Sequence, residues 1–232
     1  MRPCLWNGSG GMMRRRIKCL RSTIKATGTK IGKRGFKNHK KYLERRALYN
    51  SFGYDVDKER KFILKQVKPV DGRILEAGTG KGHFALELAR AGYHFTTFDI
   101  SVEEQAIAKL NLAYFGLDKQ VNFLIEDGEH TGFADQSFDI VFSVNTLHHL
   151  HHPYQVVDEF IRILSSGGKL VLSDFTEDGF KVMDKIHGLE GSMHEVGKVD
   201  LSDIEKHLVK KGFLVKKSRS THQRVLVAQR DV

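Results

Sequence analysis

Glu76-Ala77-Gly78-Thr79-Gly80-Lys81-Gly82 is the stretch on which the fold turns. Arg73 to Ala77 leads into it as a short apolar run of strand character. Gly82 to Ala91 leads out of it with Phe84, Leu86, Leu88 and Ala89 at helical positions, and Gly92 stops the run. A strand, a glycine-rich turn and a helix in that order form the first unit of a doubly wound α/β sheet. Ligands of such a sheet sit beyond the carboxyl ends of its strands. The glycines let a ligand approach the backbone and supply the dihedrals a tight turn demands, although such a turn can also bind nothing.

Working outward, the alternation continues. Asp57 to Val67 has helical apolar spacing and precedes Pro69 and Gly72. Tyr93 to Asp99 is aromatic and β-branched, as strands are. Ser101 to Glu104 matches a capping box and opens a helix that ends at Gly116. Val121 to Ile125 and Phe138 to Val144 read as further strands, the second with a nearly continuous apolar run (Ile140-Val141-Phe142) that suits a strand buried on both faces. A helix is predicted from Pro153 to Leu164, closed by Gly167-Gly168, and a strand from Lys169 to Ser173. A capping box at Ser202 to Glu205 starts a helix ending at Gly212. Phe213 to Lys217 and Arg224 to Gln229, six residues apart, form an antiparallel hairpin. The expectation is an α/β, doubly wound, Rossmann-like and mostly parallel seven-stranded sheet with an antiparallel C-terminal strand.

Polar residues recur at the strand ends. Asp99 ends the second strand, where a carboxylate can accept from both hydroxyls of a ribose. Asp127, with Gly128, ends the third and can face an adenine amino group. Asn145 and Thr146 follow the fourth. Any one of these could be a turn residue or a helix cap. Their recurrence beside the glycine turn points to one crevice.

Taken together, Glu-x-Gly-x-Gly-x-Gly, Asp99, Asp127-Gly-Glu129-x-x-x-Phe133-x-Asp135-x-Ser137-Phe138-Asp139-Ile-Val141 and Leu147-His148-His149-Leu150 resemble the class I S-adenosylmethionine-dependent methyltransferases. Within them the chain is similar to the branch that includes quinone-biosynthesis and small-molecule enzymes. The resemblance is strong over residues 55 to 172 and weaker over the C-terminal hairpin. It implies S-adenosylmethionine as cofactor, bound by Glu76, Ala77, Gly78, Gly80, Asp99, Ile100, Asp127, Gly128 and Asn145. Glu76 would lie near the methionyl amine, Asp99 on the ribose, Ile100 against the adenine, and Asn145 on the methionyl side.

Rival cofactors fit less well. A nicotinamide fingerprint needs glycine where His83 stands, and a phosphate-binding loop would need glycine at Leu75 and Ser or Thr at Gly82. In methyl transfer the reactive carbon belongs to the cofactor, so the protein supplies position and a dry pocket. A base is useful where the acceptor must lose a proton, and His148 and His149 are the candidates. The same histidines can be ordinary loop residues. No metal is expected, because no cysteine or carboxylate of standard ligand spacing accompanies them. The fourth strand ends in Ser143-Val144-Asn145-Thr146 and lacks the Asn/Asp-Pro-Pro-aromatic motif of enzymes that methylate planar amino groups. The stretch from 174 to 200 reads as a substrate-side insertion, either a lid or a surface helix, with His187 and His194 facing the acceptor. Tyr54 is expected on the other wall, or in the core.

The net charge of +10 is unevenly spread. Residues 1 to 43 hold thirteen Lys and Arg and no acid. That leaves 25 basic side chains against all 28 acids from residue 44 onward, a net of −3. The expected division is therefore a flexible basic extension, 1–43, and a methyltransferase domain, 44–232. The extension reads as a solvated tail, an arm for RNA or an anionic membrane surface, or an organellar import signal. Only Cys4 and Cys19 occur and no apolar run is long enough to span a membrane, so a cytoplasmic protein without integral membrane association is expected. The predicted function is methyl transfer to a small molecule. An RNA methyltransferase and a non-catalytic cofactor-binding partner remain as alternatives.

Overall fold

The computed structural model describes residues 32–189, 191, 197 and 199–230. Seven strands form one sheet, ordered β3-β2-β1-β4-β5-β7-β6. They are β1 (Ile74–Ala77), β2 (Phe95–Asp99), β3 (Val121–Ile125), β4 (Phe138–Val144), β5 (Leu164–Phe175), β6 (Leu214–Arg219) and β7 (Gln223–Gln229). The β1–β2, β2–β3, β1–β4 and β4–β5 pairs are parallel. Only β7 runs against its neighbours, β5 and β6. This is the expected doubly wound sheet with a reversed last strand.

The helices are α1 (Lys33–Ser51), α2 (Val56–Lys65), α3 (His83–Arg90), α4 (Val102–Tyr114), α5 (Pro153–Ile163), α6 (Glu177–Leu189) and α7 (Leu201–Lys210). Ile63 and Leu64 of α2, five residues of α3 and Leu112 of α4 cover one sheet face around Ile74, Phe142 and Val171. Val156, Val157, Phe160 and Ile163 of α5 and Leu201, Ile204 and Leu208 of α7 cover the other around Leu75, Val141 and Leu170. Strands buried on both sides are the reason β1 and β4 read as mostly apolar runs, broken only by Glu76 in the first and by Asp139 and Ser143 in the second. Among the described residues no helix is long and apolar enough to cross a membrane.

Four local expectations need correction. Helix α1 starts at Lys33, inside the segment expected to be a flexible extension, and buries Gly35, His39, Tyr42 and Tyr49. Gly167 and Gly168 do not close a helix. They lie inside β5, where the pairing with β4 shifts register, and a Cβ on Gly168 would come within 3.0 Å of the Asp139 carbonyl. The cap of α7 is Asp200 with Asp203, not Ser202 with Glu205; Asp200 Oδ1 accepts from the N–H groups of Ser202 and Asp203 at 2.7 and 3.1 Å. The stretch expected as a single excursion begins with the end of β5 and continues into α6. Val182, Met183 and Ile186 of α6 pack on Tyr49, Tyr54, Val56 and Phe175 above the strand ends.

Candidate active site

The turn after β1 is held by β2. The N–H groups of Gly78 and Thr79 donate to the Phe98 carbonyl at 2.9 and 3.0 Å, and Gly80 N–H donates to Asp99 Oδ2 at 2.7 Å. Gly78 has φ +82°. A Cβ there would press on Thr146, 2.7 Å from its Cγ2, so this glycine lets the β1 and β4 ends meet. Gly80 differs, since a Cβ on it would meet nothing within 4 Å. Its open side faces the crevice.

Glu76, at the end of β1, is only 2% exposed. The Thr97 hydroxyl donates to its Oε2 at 2.7 Å. That assignment orders a chain: Gln105 Nε2 donates to Thr79 Oγ1 at 3.0 Å, and the Thr79 and Thr97 hydroxyls lie 2.6 Å apart. Burial pushes the Glu76 carboxyl up to about 8, against the pull of the Thr97 and Ala85 hydrogen bonds and the nearby Arg60 charge. Burial likewise takes the His83 imidazole down to about 3, so it is neutral.

Asp99 is half-buried and uses one oxygen on Gly80 and the other on Ser101 N–H, at 2.9 Å. Ile100 is 68% exposed, and Ile125, paired with Asp99 across the sheet, is also exposed. Asp127 is exposed and its Oδ1 accepts from Glu129 N–H at 2.9 Å. Gly128 is backed by Val156 and Phe98. Ala77 is fully enclosed beneath them. Asn145 adopts φ +56°, uncommon for a residue with a side chain, and its N–H donates to the Ser173 carbonyl at 2.8 Å. A cavity of about 430 Å³ opens beside the turn, between Tyr42 and Arg45 of α1, Lys81, His83 and Asn111 of α4.

The histidines separate. His148 lies in a 3₁₀ turn, 3% exposed, with Nδ1 2.6 Å from Asp174 Oδ1. Its backbone N–H donates to Asp174 Oδ2 at 3.2 Å, and Phe175 and Phe180 stand at its ring. His149 is exposed. Tyr54 is in the core, its hydroxyl accepting from Gln223 Nε2 at 3.1 Å and Arg60 Nη1 at 3.3 Å. His187 is half-buried at the end of α6, and His194 lies outside the described residues. Sequence reading missed Asp174, Arg60 and Gln223. Asp174 is 26 residues from its histidine, and Arg60 stands in a helix where an arginine usually points to water.

Carboxylates at three neighbouring strand ends thus surround an open glycine turn on a doubly wound, Rossmann-like sheet. Residues 75–172 match the family model described as a methyltransferase domain. It is 32% identical over 151 residues to the 27-O-demethylrifamycin SV methyltransferase of Amycolatopsis mediterranei, covering 61% of this chain and 53% of that one. It is 30% identical over 141 residues to a ubiquinone/menaquinone biosynthesis C-methyltransferase of Geotalea daltonii, covering 59% and 60%. The chain thus spans a little over half the length of these curated relatives. The crystal structure of the glycopeptide N-methyltransferase MtfA complexed with S-adenosylmethionine superposes with a TM-score of 0.62 at 16% identity, over 75% of this chain and 94% of that one.

Proposed function

We propose that the chain is an S-adenosylmethionine-dependent methyltransferase acting on a small molecule. The observation that carries this is the donor set of the crevice. Asp99 and Asp127 put carboxylates where a polyphosphate cofactor would be repelled, and together with the buried Glu76 carboxyl they attract a ligand rich in hydroxyl, ammonium and amino groups. The residues fit that cofactor. Asp99 retains a second lone pair on each oxygen for ribose hydroxyls, Ile100 and Ile125 offer an apolar edge to a purine, and Gly80 leaves the backbone open. Glu76 would stand by the methionyl amine, with Ala77 and Gly78 beneath, Gly128 and Asp127 by the adenine, and Asn145 on the methionyl side. The small-molecule acceptors named for the rifamycin and quinone relatives support the same substrate class.

When bound, the cofactor supplies an electrophilic methyl carbon on a sulfonium. The chain supplies orientation and a base. Asp174 accepts from His148 Nδ1–H, which fixes that ring's tautomer and makes His148 the candidate base for an acceptor that must lose a proton. His148 would hold the proton that an acceptor gives up, and the buried Asp174 carboxylate beside Nδ1 would face the ring that carries it. His149, exposed, and His187 would face the acceptor side, whereas Tyr54, expected on that wall, is buried in the core behind it. Calorimetric titration with S-adenosylhomocysteine and, in parallel, NAD tests the cofactor. Micromolar binding of the first alone is expected; binding of NAD alone, or of neither, overturns the reading.

A further inference from the structure

The cavity beside the glycine turn has walls of the opposite sign to the crevice. Asn38, Lys41, Arg45 and Leu48 recur at three- and four-residue spacing, so they form one stripe of α1 along it. Lys81 of the turn and Ile107 of α4 belong to the other walls. Three cations thus border about 430 Å³. The one acid on the walls, Glu44, is exposed and lies 3.6 Å from Lys40 Nζ. Lys81 Nζ lies 3.7 Å from Glu104, which is off the walls. A concave surface dominated by one sign of charge focuses its potential and draws counter-ions.

The cavity is preformed. Asn111 Nδ2 donates to the Lys81 carbonyl at 2.8 Å, and Asn111 Oδ1 accepts from Asn38 Nδ2 at 2.7 Å, so the turn, α4 and α1 are tied together at its edge. Its walls also offer apolar contact. The rings of Tyr42 and His83 stack 5.7 Å apart at 25°, and Leu48 and Ile107 add aliphatic surface. His83 Nδ1 is buried and has no hydrogen-bond partner among the described residues. Such an orphaned atom on a cavity wall asks for a partner from the cavity, and the neutral imidazole has one N–H to give. Asp99, Ile100, Asp127, Gly128 and Asn145 are not on these walls, so the cavity is a place apart from the cofactor crevice. Residues 1–31, which precede α1, carry Lys and Arg and no acid, so they do not suit a cation-lined cavity.

We propose that this cavity is a second ligand site, which takes a small organic anion. Lys41, Arg45 and Lys81 hold its carboxylate or phosphate, and its apolar body lies against Leu48, Ile107 and the Tyr42 ring. Two sources share that chemistry: the methyl acceptor itself, and a separate effector. The first rests on the methyltransferase reading above; the site does not.

The test is calorimetry with hydroxynaphthoate, phenyl phosphate and the neutral hydroxynaphthamide, on wild type, Lys41→Gln, Arg45→Gln and Lys37→Gln. Lys37 is exposed on α1 and is not on the cavity walls. Wild type should bind at least one of the two anions, about tenfold more weakly in Lys41→Gln and in Arg45→Gln, as for a lost charged hydrogen bond, and equally well in Lys37→Gln. Arg45 Nε also donates to the Tyr49 hydroxyl, so Lys41→Gln, at an exposed position, carries the test if Arg45→Gln does not fold. Binding of neither anion overturns the proposal, as does equal binding of the neutral amide. Equal losses in Lys37→Gln and Lys41→Gln make the effect the general charge of α1 and also overturn it. The titration is repeated on protein loaded with S-adenosylhomocysteine. Retained anion binding supports a separate site, and competition puts the anion in the crevice and overturns it. Incubation with radiolabelled S-adenosylmethionine then assigns the source: labelled hydroxynaphthoate is an acceptor, and a bound but unlabelled anion is an effector. Wild type that binds the anion but not S-adenosylhomocysteine keeps this site and removes the cofactor reading.

Discussion

The backbone N–H of Gly80 donates to Asp99 Oδ2 over 2.7 Å, tying the open glycine of the turn to the end of the neighbouring strand. One carboxylate therefore shapes the turn and also stands ready for a ribose. Asp99→Ala should weaken S-adenosylhomocysteine binding by about 1.5–3 kcal/mol, the range of a charged hydrogen bond. Calorimetry gives the number. Wild-type affinity in the variant would remove Asp99 from the site.

The His148–Asp174 pair separates two adjacent histidines that the sequence offers as equals. His148→Ala and Asp174→Asn should each slow methylation ~10²–10⁴-fold while leaving S-adenosylhomocysteine affinity intact, because a base acts on the acceptor and not on the cofactor. His149→Ala should change the rate far less, since that ring is exposed. The comparison needs one acceptor, found by screening phenols and other hydroxyl compounds with radiolabelled methyl donor. A larger effect at His149 than at His148 would reverse the assignment.

The sheet was legible wherever burial was two-sided. β4 is read to the residue, Phe138 to Val144, because both faces are covered and the run is apolar at all positions but Asp139 and Ser143. The start of α1 was hidden, since its buried face is Gly35, His39, Tyr42 and Tyr49, with no aliphatic residue to mark a period. His39 stacks on Tyr114 at 3.5 Å, a contact 75 positions away that no local pattern announces. Gly167-Gly168 looked like a helix stop because glycine there is the commoner sign; the bulge that uses it depends on β4. The crevice was visible in outline, since strand ends can be counted along a chain. Its inner wall was not. Arg60, Gln223 and Asp174 come from α2, β7 and β5, and only the closed sheet brings them to Asn145 and His148.

The two glycines of the turn should respond differently to alanine. At Gly78 the new methyl would collide with Thr146 and sit at φ +82°, so Gly78→Ala combines left-handed strain with overpacking, about 2–5 kcal/mol together. At Gly80 the methyl meets open space and φ is +50°, so only the strain of about 1–2 kcal/mol applies. Thermal unfolding should show a much larger drop in Tm for Gly78→Ala. Gly80→Ala should fold and yet bind S-adenosylhomocysteine poorly, because its methyl projects into the crevice. Equal Tm losses in the two variants would mean that the turn does not pack as described.

Glu76 makes ligand binding and stability depend on pH in opposite ways. Burial raises its carboxyl from 4.5 to about 8 in the folded protein. Between those values the folded state holds a proton that the unfolded chain has lost, so stability is full below pH 4.5 and declines as pH rises through about 8. Glu76→Gln, which cannot ionise, should remove that decline and be more stable than wild type at pH 8 to 9, by at most about 5 kcal/mol. Ligand binding runs the other way. An α-ammonium placed against Glu76 favours the carboxylate, so S-adenosylhomocysteine should bind more tightly as pH rises from 6 to 8 and should release a proton at pH 7. Calorimetry in phosphate and in Tris measures that release, since the two buffers differ in ionisation heat. Proton release in wild type that disappears in Glu76→Gln identifies the group; identical heats in both buffers would mean that Glu76 does not meet the amine.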